Sequence, residues 1–179
     1  MDSNSTFDAD PIVNAIQNGI KEDIELTFSH NRFRATIILI YSGMDTMAFL
    51  DMPAGQDNVK RTDFVCWSGR YMRFPCKDQI TGEDFYGARC AMLHSYGVVS
   101  NMSREGKCRM IGYADQCVGE VRYAPQISKD LVLVSIRALK DAFFKGIDRF
   151  LVDAFADPAR IPTLERRLQH LIQISAMPG

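Results

Sequence analysis

The sequence predicts a mainly α-helical bundle with a small β-hairpin inserted before the C-terminal helices. Three observations carry that expectation. Apolar residues recur every three to four positions through most of the 179-residue chain, which is the period of a helix with one buried face. The pattern breaks over residues 101–127, where two short strand-like runs take over. The length suits one domain with a real core, read as residues 11–179 behind a polar, flexible arm at 1–10.

The first helix is expected from Pro11 to Phe28. Ile12, Val13, Ile16, Ile20, Ile24 and Phe28 form its stripe, with Asp10 and Pro11 as N-cap and first helical position. A second runs over 31–50 and stops before Pro53 and Gly55. Its middle, Ile37-Ile38-Leu39-Ile40, is apolar on every side, as in a helix at the centre of a fold. A shorter third spans 57–72, with Trp67 and Tyr71 on a core stripe. The fourth starts after Thr81, a side-chain cap, with Glu83 and Asp84 at the positive end of the helix dipole. It is expected to reach Ser100, with Gly87 and Gly97 inside it for close packing.

Lys107–Tyr113 and Gly119–Tyr123 then read as a hairpin with residues 114–118 in its turn. A long helix over 128–155 and an amphipathic one over 162–174 complete the chain, and Arg166-Arg167 on the latter read as ordinary surface.

The formal net charge is −1, so any nucleic-acid contact must come from a local basic patch or from patches joined by dimerisation. The polar start has no signal-peptide core, and the strongest apolar run, 37–41, is too short to span a bilayer. The expectation is a cytoplasmic protein without a membrane partner. Cys66, Cys76, Cys90, Cys108 and Cys117 are odd in number and irregularly spaced. They are expected as small buried hydrophobes, with no disulfide framework and no metal site. No Walker loop, dinucleotide fingerprint, H-x-x-x-H or nucleophile elbow is present, so no cofactor is expected.

The segment richest in chemistry is Gly87-Ala88-Arg89-Cys90-Ala91-Met92-Leu93-His94-Ser95-Tyr96-Gly97. An imidazole moves protons near neutral pH, and a guanidinium holds a phosphate through a planar fork of donors. A five-residue step turns roughly 140° beyond one full helical turn, so Arg89 and His94 flank an edge rather than share a face. Arg89 could equally pair with Asp45 or Glu83, and His94 could be a hydrogen-bonded interior residue. Asp45 lies in a nearly apolar helix, where a carboxylate needs a partner or solvent. It either orients Arg89 or His94 or satisfies a structural group. Arg104, Lys107 and Arg109 form the densest basic cluster, and Tyr96 carries a hydroxyl able to meet a phosphate or base.

Arg89, four intervening residues and His94 on a late helix of an all-helical sequence resemble the signature of the HEPN superfamily. The resemblance covers about residues 11–155, and only the motif within it is specific. It implies a HEPN-type bundle, a homodimer with two motifs in one cleft, and metal-independent endoribonuclease activity. It also implies RNA as partner, and an antitoxin in toxin–antitoxin or other defence systems. Arg89, His94 and Asp45 would then be catalytic, and Arg104, Lys107, Arg109 and Tyr96 would bind nucleic acid. One departure is Cys90, where active members commonly carry asparagine, aspartate or histidine. Some members keep the bundle and serve as non-catalytic binding modules, and a purely structural dimeric helical protein is the third possibility.

Overall fold

The computed structural model describes residues 11–115 and 121–172 and is mainly helical with one small sheet. A π-helical stretch, Ile12–Lys21, runs directly into α1, Glu22–Ser29, so the expected first helix is present with a wider initial winding. Then follow α2 (Phe33–Asp51), α3 (Arg61–Tyr71), α4 (Gly82–Ser95) and the single turn α5 (Asn101–Arg104). The sheet strands are β1 (Met110–Ala114), β2 (Val121–Tyr123) and β3 (Leu131–Ser135), and α6 (Ile136–Phe155) and α7 (Ile161–Leu168) close the chain.

α2 is the central helix, packed against α1, α3, α4, α6 and α7. Ile40, Tyr41, Met44, Met47 and Ala48 are fully buried along it. By length and composition alone this 19-residue helix is apolar enough to cross a membrane, although no short run within it is. Half of it is buried inside the protein, as the apolar middle of the sequence predicted for a core position. On its far side α3 meets α6 through aromatic rings. Trp67 stands edge-on to Phe143 at 6.0 Å and to Phe150 at 6.4 Å between centroids, and Tyr71 meets Phe150 at 5.6 Å. Such pairs add about 0.5–1.5 kcal/mol each to the burial of their area. Trp67 and Tyr71 are thus core residues, as their stripe predicted.

The strands correct the hairpin expectation. Sheet order is β1-β3-β2, with β3 parallel to β1 and antiparallel to β2. The two runs expected to pair with each other are separated by Leu131–Ser135, which the apolar pattern places in the long helix over 128–155. In Leu131-Val132-Leu133-Val134 the two valines are buried on one face of this central strand, and the two leucines are half-buried on the other. Helix α6 begins only at Ile136, where the Ser135 hydroxyl accepts from Ala138 N at 3.0 Å.

Other expectations change as well. Cys66 is exposed, and Cys76, Cys90 and Cys108 are half-buried, so none of the described cysteines is a core hydrophobe. Arg167, expected on the surface, is buried and caps the end of α2 by donating to the carbonyls of Leu50, Met52 and Pro53. These orphan carbonyls need donors, and a buried arginine fork supplies several at once. The expected arm at 1–10, most of the expected 114–118 turn, Cys117 and the last residues of the 162–174 helix lie outside the described residues.

Candidate functional site

Helix α4 carries Arg89 and His94, and its two ends are built differently. At the start, Thr81 Oγ1 accepts from Asp84 N at 3.2 Å while Asp84 Oδ2 accepts from Thr81 N at 2.9 Å, a reciprocal capping box. Gly82 lies so close to α3 that a Cβ there would sit 2.2 Å from Val65 O. One turn later a Cβ on Gly87 would meet Cys108 Sγ at 2.3 Å, the close packing the sequence suggested for this glycine. Asp84 is also the anchor of Arg109, which gives it bonds from Nε at 3.1 Å, Nη2 at 2.6 Å and its backbone N at 2.7 Å. Arg109 Nη2 donates to Gln79 O at 2.8 Å as well. Burial opposes the charged form of Asp84, but the donors of Arg109 and Thr81 outweigh it and hold the carboxyl below its ordinary range.

Arg109 is therefore a structural clamp between α4 and the start of β1, and not a free phosphate ligand. Lys107 is exposed and paired with Glu105 at 2.6 Å. Arg104 is exposed and donates to Asn101 Oδ1 at 3.1 Å.

Asp45 and Arg89 are brought together. Arg89 donates from Nε at 3.0 Å and from Nη2 at 2.8 Å, both to Asp45 Oδ2. Burial works against the guanidinium charge, and the carboxylate more than offsets it, leaving the arginine pKa above its ordinary value. The pair lines a cleft of about 290 Å³ with Arg61 and Tyr86. His94 is exposed and lines a neighbouring cleft of about 510 Å³ with Arg61, Tyr86, Cys90 and Arg104.

Arg89 and His94 thus open into adjacent clefts whose common wall is Arg61 and Tyr86, as their angular separation on a helix requires. Arg61 lies over the Tyr86 ring at 5.3 Å and pairs with Glu83 at 2.5 Å. Cys90 is within hydrogen-bonding reach of both Tyr86 and Arg89, so it occupies the seam between the clefts.

Arg61 is the residue that sequence reasoning missed. It is the first residue of α3, and only the packing of α3 on α4 brings it beside the motif. Helix α4 ends at Ser95, earlier than expected, because Tyr96 turns into the left-handed region at φ 53°, and its ring is 64% exposed. Among the described residues, no group of three or more His, Cys, Asp or Glu is arranged to hold a metal ion. Searches against protein-family models, curated proteins and solved structures find no match to this chain.

Proposed function

We propose that this chain is a HEPN-like helical protein that cleaves RNA without a metal, using His94 as the proton-transfer group. The supporting observation is the His94 cleft itself: two arginines and an imidazole line it, with Glu83 paired to Arg61 from outside the lining. Such a pocket attracts a phosphodiester and offers it an imidazole as a proton-transfer group.

In this reading the 2′-oxygen attacks the adjacent phosphorus, the bond to the 5′-oxygen breaks, and a 2′,3′-cyclic phosphate forms. Neutral His94 takes the 2′-hydroxyl proton. A protonated imidazole gives one to the leaving 5′-oxygen, and a homodimer would supply the second copy for that role. Arg61 and Arg104 neutralise the charge that builds on the phosphorane, and Arg89, held by Asp45, supports it from the adjoining cleft. RNA, a second copy of the chain and an antitoxin are the partners this reading implies.

One observation favours a second reading, a non-catalytic RNA- or nucleotide-binding module. Arg89 and His94 line different clefts, and Arg89 already holds a carboxylate. The deciding experiment is RNA cleavage by the purified protein in EDTA beside His94→Ala. Cyclic-phosphate products that vanish in the variant are expected. RNA binding without cleavage by either protein would overturn the catalytic reading in favour of the binding module. Equal cleavage by both would remove His94 from the chemistry.

A further inference from the structure

A cleft of about 910 Å³ that His94 does not line plays no part in the site above. Arg32 and Arg34, at the start of α2, line it together with Phe33, Tyr96, Tyr113 and Asp115. Both arginines are exposed, and among the described residues neither guanidinium has an ion-pair or hydrogen-bond partner. Tyr96 lines this cleft and not the His94 cleft. Its exposed ring follows His94 by two residues, across the end of α4. The floor is firm: the Tyr113 hydroxyl is fixed by the buried Tyr41 hydroxyl at 2.7 Å.

We infer that this cleft is a second binding site, which holds single-stranded RNA leaving the His94 cleft. The inference takes its ligand class from the RNA reading of His94. Two unpaired guanidiniums against one carboxylate give the cleft a net positive lining suited to backbone phosphates. An exposed tyrosine ring accepts an unstacked base on its face, which a duplex does not present. Asp115 can accept from the exocyclic amine of a base. The end of α4 separates the two clefts, so a strand crossing it meets His94 on one side and Tyr96 with the arginine pair on the other.

The test is anisotropy of a fluorescein-labelled 12-nucleotide RNA in the His94→Ala background, where cleavage does not interfere. Adding Arg32→Gln with Arg34→Gln is expected to weaken binding at least tenfold. Losing two phosphate contacts also lowers the slope of log affinity against log salt by about 1.4. Arg32→Lys with Arg34→Lys, which keeps the charge, is expected to retain most of the affinity. Tyr96→Ala should weaken binding roughly 5- to 150-fold, the loss of one base stack. Circular dichroism of each variant verifies that it is folded.

Equal affinity of the glutamine pair and its parent would overturn the inference even if the wild-type protein cleaves RNA. Loss of binding in the glutamine pair would support it even if the wild-type protein cleaves nothing, in which case the catalytic reading alone falls.

Discussion

The first turn and the middle of α4 belong to one helix, and each meets a carboxylate–arginine pair, yet the two are organised for different ends. Asp84 has a side chain only 3% exposed and accepts four hydrogen bonds from fixed donors on Arg109 and Thr81. Asp45, facing the middle of the helix, is 31% exposed and holds Arg89 through one oxygen. Beyond it, His94 and Tyr96 face solvent. Where donors and acceptors are saturated and buried, the residues fix the fold. Where they are half-exposed or unpaired, they are available to a ligand.

The strongest way to test that contrast is to remove each carboxylate in turn. Asp84→Ala leaves a partly buried Arg109 without its anchor and uncaps α4, so a loss of about 3–5 kcal/mol is expected. Asp45→Ala breaks a half-exposed pair that water screens, and its expected loss is about 1 kcal/mol or less. Urea denaturation of the two variants beside the parent measures both. Similar losses would mean that the Asp45–Arg89 pair is structural too.

The same contrast has a pH signature. Because the folded pKa of Asp84 is depressed, its contribution to stability is complete above the unfolded carboxyl value, about 3.9 for aspartate, and fades as pH falls through the folded value. The parent should therefore lose stability more steeply than Asp84→Asn between about pH 5 and pH 2. Parallel curves of urea midpoint against pH for the two proteins would contradict the assignment.

How far the sequence disclosed these two ends differs in an instructive way. The Thr81 cap is legible in the sequence because capping is local, whereas Asp84 reads there only as a charge favoured by the helix dipole. Asp45 stood out because a carboxylate in an apolar helix demands an explanation. Local pattern could not show that Arg109, two residues after the Lys107 of a solvent-exposed Glu105–Lys107 pair, would turn inward to Asp84. Nor could it show that Arg61, from a different helix, would stand beside His94. Arg167 was misassigned for the same reason, since its partners are carbonyls more than a hundred residues away. Strand β3 was hidden by continuity: an apolar run that flows straight into an apolar helix has no punctuation except Ser135.

A smaller effect is expected at Gly82, where the fixed end of α4 meets α3. The nearest atom to an added Cβ is a backbone oxygen at 2.2 Å, which cannot rotate away. Gly82→Ala should cost about 1–3 kcal/mol by forcing the two helices apart. The clash at Gly87 involves a thiol, which can move, so Gly87→Ala should cost less. Thermal unfolding of the pair decides whether backbone contact or side-chain contact limits how closely α4 can pack.

The smallest effect on stability should come from His94. Its ring is exposed and makes no hydrogen bond among the described residues, so His94→Gln should shift the unfolding free energy by no more than about 0.5 kcal/mol. Any loss of RNA cleavage in that variant would then belong to the imidazole and not to a damaged fold. A destabilisation near that of Asp84→Ala would place His94 among the structural residues and move the boundary between the two ends of α4 past the whole motif.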